Sequence, residues 1–164
     1  MDKVLVIVVT YNAHDWIRQC LNSVDMERYD AFVVDNASTD DTLQILQEEY
    51  PKVIVRLMDK NLGFGQANNI GLRYALDNGY DYVFLLNQDA WVEPNTIGDL
   101  VRIAEKYPEY GILGPVQVNK ERTKVLNGVI QFLVNPDNVN HKLFSDLILG
   151  SVEEIYPVAE INAA

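Results

Sequence analysis

Hydrogen-bonding side chains stand at four places where an apolar run stops. Val4–Val9 leads into Thr10-Tyr11-Asn12, and Ala31–Val34 into Asp35-Asn36-Ala37-Ser38. Val53–Leu57 is followed by Asn61-Leu62-Gly63-Phe64-Gly65, and Tyr82–Leu86 by Asn87-Gln88-Asp89. Any one of these clusters is accounted for as a turn former or helix cap. Four in succession, behind runs almost wholly apolar, point to a site. An acid at the end of a second parallel strand, as Asp35 would be, is placed to accept hydrogen bonds from a ribose or a base edge. Its competing role is a helix cap, for which Ser38 and Thr39 already stand available. Asp89 offers a carboxylate, and Asn87 a carbonyl oxygen two residues away, to a hard divalent cation such as Mg²⁺. One carboxylate makes a partial site, so phosphates and waters of a ligand would have to complete the shell. Gly63-Phe64-Gly65 before a helix start suits either a close approach to phosphate or a tight turn. It is no Walker A loop, and the third glycine of a dinucleotide fingerprint is missing.

Parallel strands and helices are what bring such clusters together. Val4–Thr10 reads as a strand buried on both faces, followed by a helix with Ile17, Leu21 and Val24 on one side and Asn12 as its N-cap. Ala31–Asp35 is a second strand, and Ser38 or Thr39 caps a helix carrying Leu43 and Leu46 that Pro51 closes. Val53–Leu57 is a third strand, and Ala67, Ile70 and Tyr74 mark a helix ending at Asn78-Gly79. Tyr82–Leu86 is a fourth. Pro94 starts a helix with Ile97, Leu100, Val101 and Ala104, and Ile112–Val116 reads as a fifth strand. Four strand–helix units in a row predict an α/β fold: a largely parallel sheet with right-handed crossovers and helices on both faces. In such sheets ligands bind at the carboxyl ends of the strands, where the four clusters lie. Residues 117–164 carry no further unit and suggest loops and a hairpin.

Composition narrows the chemistry. The 164 residues suffice for one compact core. The net charge of −11 disfavours nucleic acid as a partner, since binding it depends on Lys and Arg neutralising phosphates. An acidic chain that holds a diphosphate needs local relief from helix N-termini, a divalent cation, or both. Cys20 is the sole cysteine, and His14 and His141 are the only histidines. An internal disulfide and a thiolate metal cluster are thereby excluded, and a histidine zinc site or a Ser-His-Asp triad has no supporting motif. No apolar run approaches the roughly 18 residues of a membrane span, and Val4–Val9 lacks a cleavage site after it. A cytoplasmic protein is the expectation. Trp16 and Trp91 read first as packing residues, Trp91 being the better placed to touch a ligand.

Jointly, these segments resemble family 2 glycosyltransferases of the GT-A fold. Val8-Val9-Thr10-Tyr11-Asn12 is similar to the family's opening strand and nucleotide contact, and Val33–Asp40 to its base-recognising segment. Asn61–Gly71 is similar to a third segment that helps hold the nucleotide, and Leu85-Leu86-Asn87-Gln88-Asp89 occupies the place of the Asp-x-Asp metal motif. The match in order and spacing covers residues 3–116. The resemblance implies a donor-binding region over 1–116 and the beginning of an acceptor-binding region over 117–164, in one structural domain. It implies a nucleotide-diphosphate sugar, UDP- or dTDP-linked, contacted by Thr10, Tyr11, Asn12, Asp35, Asn36, Asn61, Gly63 and Asn68. Asp89 and Asn87 would hold Mn²⁺ or Mg²⁺ on the diphosphate, stabilising the leaving group. Asn87 in place of a first aspartate is similar to members that transfer rhamnose or related sugars in surface-polysaccharide assembly. A saccharide or lipid-linked acceptor, inversion at the transferred carbon and peripheral membrane association of the full-length protein follow from the same likeness. The family's catalytic base usually comes from a later Glu-Asp segment, and no Glu-Asp pair occurs here. The base is therefore expected beyond Ala164, and this chain alone is expected to bind donor without efficient turnover.

Three other classes compete. A non-catalytic module would use the same pocket without transfer. A receiver domain should carry an acidic pair after its first strand and a lysine after its fifth, where Thr10-Tyr11-Asn12 and Gly114-Pro115-Val116 stand instead. A nucleotidyltransferase would want a basic, glycine-rich loop after the first strand, and none is present.

Overall fold

The structure, a computed structural model, describes residues 3–115 together with Gln117 and Asn119. The rest of the segment 117–164, expected as loops and a hairpin, lies outside the described residues. The chain divides between Leu113 and Gly114 into two compact units, and every described helix and strand belongs to the first.

The elements alternate as expected. They are β1 (Val4–Thr10), α1 (Ile17–Asn22), β2 (Asp30–Asp35), α2 (Thr42–Glu49), β3 (Ile54–Leu57), α3 (Phe64–Asp77), β4 (Tyr82–Asn87) and α4 (Thr96–Lys106). The four strands form one parallel sheet in the order β3-β2-β1-β4. β1 is central, and all seven of its residues are buried. Its odd and even side chains feed separate cores, as the two-residue period of a strand requires. Val4, Val6 and Val8 meet Ile17, Cys20, Leu21, Ile45, Leu46 and Ile97 from α1, α2 and α4. Leu5, Ile7 and Val9 meet Ala67 and Ala75 of α3. Each fully buried Leu, Ile or Val contributes about 1.5–3 kcal/mol, so this strand anchors both layers. Gly71 lets α3 lie close against it, because a Cβ there would come within 2.7 Å of Ile7.

The end of α3 follows its local sequence. Gly79 takes a left-handed φ of 67°, its N–H donates to the Leu76 carbonyl, and the Tyr80 N–H to that of Ala75. That is the Schellman arrangement expected of Asn78-Gly79. Pro51 likewise follows directly on Tyr50, the C-cap of α2.

Two expected helix starts and one strand differ. Trp16, not Asn12, occupies the N-cap of α1, and no side chain caps it. Asp41 occupies that of α2, and Asp40 Oδ1 accepts from the Thr42 N–H at 3.0 Å. Asn12, Ser38 and Thr39 are engaged with one another across loops instead, as described below. Ile112–Pro115 form no strand, and Ile112 is 72% exposed. The apolar run there is two residues long, between Gly111 and the sequence Gly114-Pro115, whose proline has no N–H to pair. Trp16 is 47% exposed, so it is not the packing residue its type suggests.

Candidate functional site

The strand order fixes where a ligand would sit. The chain runs outward from β1 to β2 and β3, then returns to place β4 on the other flank of β1. The crevice between the carboxyl ends of β1 and β4 is therefore the topological switch point.

On the β2 flank the loops are bound to each other. Thr10 and Asp35 are opposite one another in the ladder, and the Thr10 hydroxyl donates to Asp35 Oδ1 at 2.8 Å. Ala37 turns the chain with a left-handed φ of 63°. That brings Ser38 back onto Asp35, its N–H donating to Oδ2 at 2.9 Å and its hydroxyl to Oδ1. The Asn12 N–H donates to Ser38 Oγ, and Asn12 Oδ1 accepts from the Thr39 N–H at 2.8 Å. Further along, the Ala13 N–H donates to Thr42 Oγ1 and the His14 N–H to Asp40 Oδ2. Burial alone would raise the Asp40 carboxyl, but the bonds from Thr42 and His14 outweigh it and hold the group below its usual value. Thr10 and Asp35 are 0% and 3% exposed, so they form a layer beneath the exposed Tyr11 and Asn12.

The third cluster joins this layer through Asn36, also buried. Its Oδ1 accepts from the Leu62 N–H at 3.3 Å and its Nδ2 donates to the Gly63 carbonyl at 3.4 Å. Asn61 closes a local turn by accepting from the Gly63 N–H, and buried Asn68 donates to the Phe64 carbonyl. Gly63, with φ 79°, is the N-cap of α3, and no side chain caps that helix. The first-turn amides thus face the same edge of the sheet with their partial positive charge.

On the β4 flank the chemistry is exposed. β4 stops at Asn87, and the Ala90 N–H donates to the Asn87 carbonyl at 3.0 Å, so a turn carries Gln88 and Asp89. The side chains of Asn87 and Asp89 are exposed. The Cys20 thiol of α1 donates to the Asn87 carbonyl at 3.4 Å. Burial pushes that thiol up to about 12, and the nearby negative charge of Asp89 adds to the effect. Gln88 reaches across the switch point: its Oε1 accepts from the Tyr11 N–H at 2.8 Å and its Nε2 donates to the Tyr11 carbonyl at 3.3 Å.

Among the described residues, no three His, Cys, Asp or Glu side chains gather as a metal-binding group. The donor set of Asp89 with Asn87 fits a hard cation that arrives with its own phosphate oxygens, and does not fit a cation caged by protein alone. The structure brings Thr10, Tyr11, Asn12, Asp35 and Asn36 together. It links Asn61 and Gly63 to them through Asn36, and Asn87 and Asp89 through Gln88, while Asn68 is bonded within α3 to the Phe64 carbonyl. Sequence reasoning passed over Gln88, which stood as a spacer between two candidate ligands, and no local signal marks its partner.

Residues 5–153 match the glycosyl transferase family 2. The chain belongs to that family. Among curated relatives of this family 2 chain is the N-acetylglucosaminyl-diphospho-decaprenol L-rhamnosyltransferase of Mycobacterium tuberculosis. It is 32% identical over 126 residues, covering 70% of this chain and 41% of that protein. The glycosyltransferase GlyA of Streptococcus pneumoniae is 26% identical over 99% of this chain and 23% of its own length. The crystal structure of S. aureus TarS 1-349 in complex with UDP superposes with a TM-score of 0.56 at 29% identity, over 65% of this chain and 33% of that one. A complex of the same protein with UDP-GlcNAc has also been solved. The family 2 chain spans less than half the length of each of these relatives. Its GT-A fold and its likeness to rhamnosyltransferase-type members are as the sequence led one to expect. No helix among the described residues is long and apolar enough to cross a membrane.

Proposed function

We propose that this chain forms the donor-binding region of an inverting glycosyltransferase that takes its sugar from a UDP- or dTDP-linked donor. The acceptor is a saccharide or a lipid-linked molecule in cell-surface polysaccharide synthesis. The observation that carries this reading is the arrangement at the switch point. An exposed carboxylate, Asp89, stands beside β1's loop, and the uncapped amino end of α3 faces the same edge of the sheet. Family membership and the relatives solved with UDP and UDP-GlcNAc support it.

In this reading Tyr11, Asn12 and Asn61 supply the exposed nucleoside contacts, and the buried layer of Thr10, Asp35, Asn36 and Asn68 holds their loops in place. Gly63, lacking a side chain, leaves room for the diphosphate to approach the first-turn amides of α3. Asp89 and Asn87 would hold Mn²⁺ or Mg²⁺, which when bound neutralises charge developing on the departing diphosphate. A cation and a helix terminus together answer the problem that a chain of net charge −11 poses to an anionic ligand.

Calorimetric titration of UDP and dTDP, in Mn²⁺ and then in EDTA, tests the reading on the wild type and Asp89→Ala. The expected result is binding that the metal strengthens at least about tenfold, or about 1.4 kcal/mol, with that gain absent from Asp89→Ala. A preference between the nucleotides identifies the donor's base. A folded protein that binds neither at millimolar concentration overturns the proposal.

A further inference from the structure

Gln88 deepens the donor-site reading, on which the following rests. The last rung of the ladder between β1 and β4 pairs Val9 with Asn87. Beyond it β4 turns away, leaving the N–H and carbonyl of Tyr11 on that flank without a strand to pair with. The Gln88 side chain takes the strand's place. A primary carboxamide carries one acceptor and donors on a single plane, as a peptide unit does. Both are used, Oε1 on the Tyr11 N–H at 2.8 Å and Nε2 on the Tyr11 carbonyl at 3.3 Å. The orientation of the amide is fixed by its partners, since a backbone N–H can only donate and a carbonyl only accept.

The rest of the turn is anchored elsewhere, to α1. Cys20 donates to the Asn87 carbonyl, and Ser23 Oγ accepts from the Val92 N–H at 3.1 Å. These bonds hold the turn from below and do not touch the nucleoside loop. Gln88 does, and its neighbour in the chain is Asp89.

We propose that Gln88 is a positioning residue that couples the cation end of the donor site to the nucleoside end. A cation and diphosphate fixed at Asp89 fix the turn, the turn fixes Gln88, and Gln88 fixes the backbone of Tyr11. Metal and nucleotide then bind with positive coupling, beyond the direct attraction between cation and phosphate. Glutamate would not serve, because a carboxylate has no N–H for the Tyr11 carbonyl.

The test compares wild type, Gln88→Ala and Gln88→Met by titration of the nucleotide diphosphate that the wild type prefers, with Mn²⁺ and with EDTA. Methionine keeps the length and packing of the side chain while removing both hydrogen bonds. Coupling between sites ordinarily amounts to about 5–150-fold in affinity. Both variants are expected to lose at least about fivefold of the metal-induced gain, while affinity in EDTA stays within about twofold of wild type and thermal melting is unchanged. A side chain that only stabilised the fold would lower melting and weaken binding equally in both conditions. Retention of the full gain in both variants overturns the coupling and leaves the donor-site reading standing. Retention in Gln88→Met alone assigns the effect to packing and overturns it too. A wild type with no metal-induced gain overturns the coupling and the cation role of Asp89 together.

Discussion

The two flanks of β1 are constructed on opposite plans. Toward β2, the loop after β1 is bound to the next loop through Asp35, Ser38, Asn12 and Thr39, and further on through Asp40 and Thr42, with Thr10, Asp35 and Thr42 buried. Toward β4, Asn87 and Asp89 stand exposed, and one carboxamide spans the gap. The first flank is part of the fold's stability. The second is tied to the core only from below, through Cys20 and Ser23, and leaves the Asn87 and Asp89 side chains outward. A site divided in this way can change its reactive groups without dismantling its platform.

The largest effect expected from breaking this contrast is at Asp35. Asp35→Ala leaves the Thr10 hydroxyl and two Ser38 donors without their acceptor in a closed layer, and should cost about 3 kcal/mol in a denaturant titration. Asp89→Ala on the other flank should stay within about 0.5 kcal/mol of wild type. Equal losses for the two would show that the flanks are not divided as described.

Cys20 sharpens the comparison, since it touches the exposed flank from inside the core. At 1% exposure its thiol should resist alkylation in the native protein and react on unfolding. The folded thiol titrates near 12 against an unperturbed 9.0, so the unfolded chain loses this proton first as pH rises. Stability from this group is complete below pH 9 and is lost progressively toward pH 12. Between pH 9 and 10 the decline should be about 1 kcal/mol, and Cys20→Ala should remove it. A wild type and variant with parallel pH profiles would contradict this.

The smallest effect lies behind both flanks. The Tyr29 hydroxyl is buried with no hydrogen-bond partner, near the backbone of Gly98. Tyr29→Phe should leave stability unchanged or raise it by up to about 1 kcal/mol, measured by thermal melting. A clear loss would mean that the hydroxyl is satisfied in solution.

What the sequence disclosed and what it concealed divide along the distance between partners. The four strand–helix units were legible because apolar runs and helical spacing are local, and the close of α3 was legible because the Gly79 arrangement spans a few residues. Asn12 and Thr39 were misassigned as caps because the bonds that engage them span 26 and 27 residues. Ser38 was misassigned because its short bond to Asp35 is joined by one from Asn12, 26 residues away. A capping type and a loop-bridging type are the same residues, Asn, Ser and Thr. The clusters at the strand ends were legible as a group, since topology alone delivers them to one edge. Which members are sealed beneath and which face outward was not, and neither was the role of Gln88, whose partner is 77 residues distant.

The contact between Gly71 and Ile7 has a consequence for the far edge of the sheet. α3 is 14 residues long, about 21 Å, with Gly71 near its middle and Gly63 at its head. A methyl group added at Gly71 would press on the Ile7 side chain of the central strand, so the helix would have to shift away from the sheet. Its head would move with it at the edge where the diphosphate of the proposed donor would approach. The volume of one hidden position thus sets the aim of a distant helix end, and substitutions that never approach a ligand can misalign the place where it binds.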